Sequence, residues 1–144
     1  MIGVVVSLCM FVGYLTYFLV KYKEIPESIS QTYYKTGWIF IIVMWIIAFG
    51  IGQYAVSLNA PLIIASMVGL LIVGSAPMVN DKNVRPVHMF GAITCGVCSQ
   101  LFVILYHPIA MISWLLCLFG LWRKSEITFW IELSCITSLY ISIL

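Results

Sequence analysis

Ser30, Asp81, His88 and Glu132 are the residues of this chain whose types and positions lend themselves to chemistry. Asp81 and His88 flank a turn, and an aspartate beside a histidine is the pairing of a base and its orienting partner, or of two metal ligands. Zinc takes three or four ligands. The second histidine, His107, falls on the opposite face of the expected topology and cannot complete a set. In the plainer reading Asp81 caps the turn and His88 bonds a neighbouring loop. Glu132 is the one ionisable residue inside an apolar stretch, about 8 Å from the start of its helix. A carboxylate at that depth is costly, so it faces a bundle interior or water. Arg85, Arg123 and Lys124 are its basic candidates for pairing. Glu132 then serves either a structural pair or the passage of ions or protons.

Polar groups cluster in two connections. Segment 21–36 reads KYKEIPESISQTYYKT. Ile25, Ile29 and Tyr33 recur at helical spacing, which predicts a short helix with one apolar side. Pro26 suits its first turn, and Glu27 lies near the positive helix end. Tyr22, Tyr33, Tyr34 and Trp38 would anchor such a helix at the headgroups. The alternative is a lid or ligand-binding segment over the cytoplasmic mouth. Glu24, Glu27, Ser28, Ser30, Tyr33 and Tyr34 form a candidate ligand- or partner-binding surface. Asp81, Lys82, Arg85 and His88 add to it from the connection before the fourth stretch.

What must position these residues is a bilayer-spanning body. Of 144 residues, 63% are hydrophobic and 8% charged, with a mean hydropathy of +1.12. Soluble domains average about a quarter charged residues, which excludes the soluble, disordered and secreted disulfide classes. The expected fold is all-α, a single transmembrane helical bundle over 1–144. A span needs about 20 apolar residues. Six stretches are read, at 2–20, 37–55, 60–79, 87–106, 108–122 and 127–144, with 21–36 as an interfacial segment. The stretch at 108–122 is short, about 22 Å as an α-helix; it is a thin span or one arm of a hairpin. Residues 2–20 read as a retained span rather than a signal peptide, because Lys21 and Lys23 follow the apolar run instead of preceding it.

The seven basic residues, Lys21, Lys23, Lys35, Lys82, Arg85, Arg123 and Lys124, fall in alternate connections. With six spans these share one face, and the positive-inside rule places that face in the cytoplasm with both termini outside. The chain is therefore expected in the cytoplasmic (inner) membrane as a multi-pass protein. Its partner is the bilayer, with basic residues near anionic headgroups. No basic stripe indicates nucleic acid, and no cofactor is expected.

Within the spans, Gly91, Cys95 and Ser99 recur every four residues. Small residues at that spacing let helices approach closely, within the bundle or between protomers, so this face is a candidate for self-association. Gln100 needs a partner across helices. Ser134, Thr137, Ser138 and Ser142 either pack or line a narrow wet path. The five cysteines lie in apolar stretches. Cys95 and Cys98 have CxxC spacing without the context of a redox motif, and they read as packing residues.

The block Ile25-Pro-Glu-Ser-Ile-Ser-Gln-Thr-Tyr-Tyr34, followed by Val87-His-Met-Phe-Gly-Ala92, resembles short polytopic membrane proteins from bacterial and phage-associated sequences, an uncharacterised family with no assigned activity. The resemblance implies a six-span layout in a bacterial cytoplasmic membrane. A weaker likeness, carried by Ser30, Asp81 and His88, is to the membrane hydrolase superfamily that includes alkaline ceramidases. It implies zinc-dependent lipid hydrolysis, although the further histidines and the seventh span of that superfamily have no counterpart here.

Three function classes follow. One is a ligand- or partner-binding membrane module with its polar site on the cytoplasmic face. A second is an oligomeric pore or transporter using Glu132. The third is a membrane-embedded lipid hydrolase using Asp81 and His88.

Overall fold

The computed structural model describes residues 1–78, 81–122 and 124–144, with the side chains of 81–83 outside that description. The described residues are helical and contain no strand. The helices are α1 (Ile2–Tyr22), α2 (Tyr33–Thr36), α3 (Trp38–Ser57), α4 (Pro61–Ser75), α5 (Asp81–Tyr106), α6 (Cys117–Trp122) and α7 (Ile127–Ile143). Short 3₁₀ turns stand at Ser30–Thr32, Ala76–Met78 and Lys124–Glu126, and a longer 3₁₀ segment covers Pro108–Leu116. Five helical segments are long and apolar enough to cross a membrane: Ile2–Tyr22, Trp38–Ser57, Pro61–Met78, Val84–Tyr106 and Lys124–Ile143. They mark the chain as a membrane protein.

Local sequence sets the helix ends. Pro61 opens α4 at a position whose N–H needs no partner. Lys23 closes α1 in the left-handed conformation, its N–H donating to the Leu19 carbonyl. Gly37 joins α2 to α3 at φ 55° and ψ −126°, a backbone region open to glycine alone.

The helices pack in the order α1, α3, α4, α5, α7, with Pro108–Leu116 and α6 against α7. Two glycine contacts fix the closest crossings. A methyl group added at Gly50 would stand 2.5 Å from the Gly3 carbonyl oxygen. One added at Gly69 would stand 2.6 Å from the Cys95 nitrogen and 2.7 Å from the Gly91 oxygen. The small-residue stripe of α5 is thus occupied inside the chain: Gly91 and Cys95 back onto α4, and Ser66 Oγ donates to the Cys95 carbonyl at 2.9 Å. Ser99 is buried in the same protomer.

The expected α-helical fifth stretch is mostly 3₁₀. Its Ser113 hydroxyl reaches the carbonyls of Ala110, at 3.0 Å, and Ser134, at 3.2 Å. Gln100 has the cross-helix partners its burial requires. Its Nε2 donates to the Cys135 carbonyl at 3.2 Å, and its Oε1 accepts from Trp114 Nε1 at 2.9 Å and Ser138 Oγ at 3.1 Å. One amide therefore ties α5, the 3₁₀ segment and α7 together.

Segment 21–36 departs from the expected amphipathic helix. Residues 23–29 carry no helix, and the chain regains a 3₁₀ turn only at Ser30. The segment folds into the end of the bundle as a strap, with Ile29, Thr32 and Thr36 buried. The reason is a set of anchors that an interfacial helix would forgo. Tyr14 on α1 contacts Thr32 Oγ1 at 2.5 Å and Thr36 Oγ1 at 2.9 Å through its hydroxyl. The Phe129 N–H donates to the Glu27 carbonyl at 2.9 Å.

Candidate functional site

The interhelical core contains a cavity of about 190 Å³, walled by α1, the strap, α3, α4, α5 and α7. Most of its wall is apolar, with Phe11, Phe40, Met44, Met67 and Leu70 among the lining side chains. Among the described residues its ionisable lining, apart from the thiols of Cys95 and Cys135, is His88 and Glu132. Ser30 and Ser99 contribute hydroxyls.

The polar groups arrive from three elements: Ser30 from the strap, His88 and Ser99 from α5, and Glu132 from α7. Glu132 lies one turn into α7 and is partly buried. Its Oε2 accepts the Ile29 N–H at 2.5 Å. That amide stands at the start of the Ser30–Thr32 turn, where N–H groups lack partners within the helix. The carboxylate therefore caps a turn of the strap from a helix more than a hundred residues away. The pairing of Glu132 with Arg85 or Lys124 weighed from sequence does not form, and Arg85 is exposed. Arg123 lies outside the described residues.

Among the sequence candidates, Ser30, His88 and Glu132 meet at this cavity. The other candidates whose side chains are described do not. Glu24 pairs with Lys35 at the exposed rim. Glu27 accepts from Gln31 Nε2 at 2.9 Å and is also exposed. Ser28 is buried, and its hydroxyl contacts Ser30 Oγ at 3.0 Å and accepts the Gln31 N–H at 3.2 Å. Tyr33 packs edge-on against Phe40, whereas Tyr34 is 80% exposed. Asp81 and His88 do not flank a turn: both stand on α5, about two turns apart. The side chains of Asp81 and Lys82 lie outside the described residues, and so does any pairing of Asp81 with His88. No group of three His, Cys, Asp or Glu side chains able to hold a metal occurs among the described residues.

Two features escape sequence reasoning. The first is the Tyr14–Thr32–Thr36 cluster, whose only trace in sequence is a tyrosine in mid-span. The second is the cavity itself. Its apolar wall residues look the same in sequence as lipid-facing ones, because lipid and core are equally apolar.

The arrangement can receive a small, largely apolar molecule within a wall that carries a carboxylate, an imidazole and a hydroxyl. Apolar pockets with a few convergent polar groups are the usual form of a small-molecule site. No family model, curated protein or solved structure matches this chain.

Proposed function

We propose that the protein is a ligand-binding membrane module whose site is the core cavity and whose polar groups are supplied by Ser30, His88 and Glu132. The observation that carries this reading is the convergence of those three residues, from the strap, α5 and α7, on one cavity of about 190 Å³. An engineered cavity of about 150 Å³ takes benzene, so the volume suits a compact ligand. The cavity lies within a single chain, which favours a ligand module over a pore that needs several protomers.

The topology proposed with it is six spans, both termini outside, in the bacterial cytoplasmic membrane. Pro108–Trp122 is the short member. A 3₁₀ helix rises about 2.0 Å per residue against 1.5 Å for an α-helix. With Pro108–Leu116 in that form, the 15 residues reach about 27 Å, close to the ~30 Å hydrocarbon thickness. The strap and the starts of α5 and α7, which bear Lys21, Lys23, Lys35, Arg85 and Lys124, form the cytoplasmic end on this reading.

The test is occupancy of the cavity. A clickable, photoreactive aryl probe, irradiated with the purified protein in nanodiscs, is expected to label peptides of α3, α5 and α7. Ala92→Trp, which fills the cavity from α5, is expected to remove the labelling while the protein keeps its helical circular dichroism. Labelling confined to lipid-facing residues, unchanged by Ala92→Trp, would overturn the reading.

A further inference from the structure

We infer that the ligand of this cavity is a small lipophilic amine, held by Glu132 as an ammonium–carboxylate pair; this rests on the cavity being a ligand site at all. The first ground is charge. Glu132 faces the cavity, and no lysine or arginine among the described residues lines it. Among the described residues His88 is the other ionisable group there besides the two thiols. A backbone amide, that of Ile29, holds the carboxylate in place, but it brings a dipole and no countercharge. A cationic ligand would supply the missing charge where a neutral one would leave it unpaired, and an ion in low dielectric needs a partner.

The second ground is the wall. Phe11 and Phe40 line the cavity with Met44 and Met67. Aromatic faces attract ammonium groups, and methionines adapt to varied apolar shapes. A fatty anion would set carboxylate against carboxylate, and a purely apolar ligand would leave Glu132 without a countercharge.

The third ground is size. Scaling from benzene in about 150 Å³, a cavity of about 190 Å³ takes roughly eight heavy atoms. Benzylamine has that size, and it has close neutral analogues in benzyl alcohol and toluene. The amine arrives protonated, or takes the proton from a neutral Glu132 carboxyl. In both cases the bound state is ammonium facing carboxylate.

The experiment titrates the full-length protein in nanodiscs with benzylamine, benzyl alcohol and toluene, read by ligand-observed saturation-transfer NMR, with matched empty nanodiscs subtracted. The amine is expected to bind at least tenfold more tightly than the alcohol. Glu132→Gln, which keeps an oxygen for the Ile29 amide, is expected to bring amine and alcohol to equal affinity. If Glu132→Gln fails to fold, the wild-type ratio of amine to alcohol decides alone. Amine and alcohol binding equally to wild type, both displaced by Ala92→Trp, would overturn the amine assignment and leave the ligand site standing. Specific binding of none of the three would overturn both.

Discussion

The Ile29 backbone N–H donates to Glu132 Oε2 at 2.5 Å, joining positions 103 residues apart. That bond makes the one intramembrane carboxylate both a clasp for the strap and part of the cavity wall. A residue that does both couples the position of the strap to the state of the cavity.

Glu132→Ala is expected to release the strap. A hydrogen bond to a charged group contributes about 1.5–3 kcal/mol, so the Ile29 amide should exchange with deuterium tenfold faster or more. Glu132→Gln should fall between wild type and Glu132→Ala. Hydrogen exchange read by mass spectrometry on peptides covering 25–36 checks this, and unchanged protection in Glu132→Ala would refute the clasp.

Tyr14→Phe tests the second anchor. Thr32 and Thr36 can still donate to the Ile29 and Thr32 carbonyls, at 2.5 and 2.8 Å. Their hydroxyls are therefore not orphaned, and the cost is expected to be about 1 kcal/mol. It should appear as faster exchange in the strap with little change in α4 and α5.

Gly69→Ala and Gly91→Ala are expected to be severe, because the new methyl groups meet backbone atoms at 2.6 and 2.8 Å. Overpacking of that kind costs about 1–3 kcal/mol or more. Gly13→Ala is the control: nothing lies within 4 Å of the added carbon, and the helix gains up to ~1 kcal/mol in propensity. Thermal unfolding in one detergent should rank the three variants in that order.

Gln100→Leu removes the acceptor of Trp114 Nε1 and the tie to the Cys135 carbonyl. Ser138 keeps a bond to that same carbonyl at 2.8 Å, so the loss centres on the indole. The expected destabilisation is about 1–3 kcal/mol. Looser protection should appear across 108–122 first, as measured by hydrogen exchange.

A reporter fused after Leu144 is expected to be active only outside the cytoplasm, and one inserted after Lys124 only inside. A paired alkaline phosphatase and green fluorescent protein fusion set reads both. A cytoplasmic C-terminus would exclude the six-span layout with both termini outside.

The amino-acid sequence by itself determined the membrane class and the all-helical body. Of the six apolar stretches read in it, five correspond to helical segments long enough to cross a membrane, and 108–122 is a shorter one. With 8% of residues charged, no soluble surface can be built, and Pro61 and Pro108 open helical segments where they occur in the chain. It also singled out Glu132, because one acid in an apolar run stands out without any fold. Tertiary structure decided what Glu132 touches. The Ile25, Ile29 and Tyr33 spacing is a true helical period, yet hydrogen bonds of Tyr14, Phe129 and Glu132 with Thr32, the Glu27 carbonyl and the Ile29 amide tie the strap into the bundle. Tertiary structure also turned the Gly91 and Cys95 stripe inward against Gly69, and brought Ser30 and His88 to the cavity of Glu132. Periodicity marks a core when water lies outside, because the two faces of a helix then differ. With lipid outside both faces are apolar, so which face turns inward is decided by close packing and buried hydrogen bonds between distant segments.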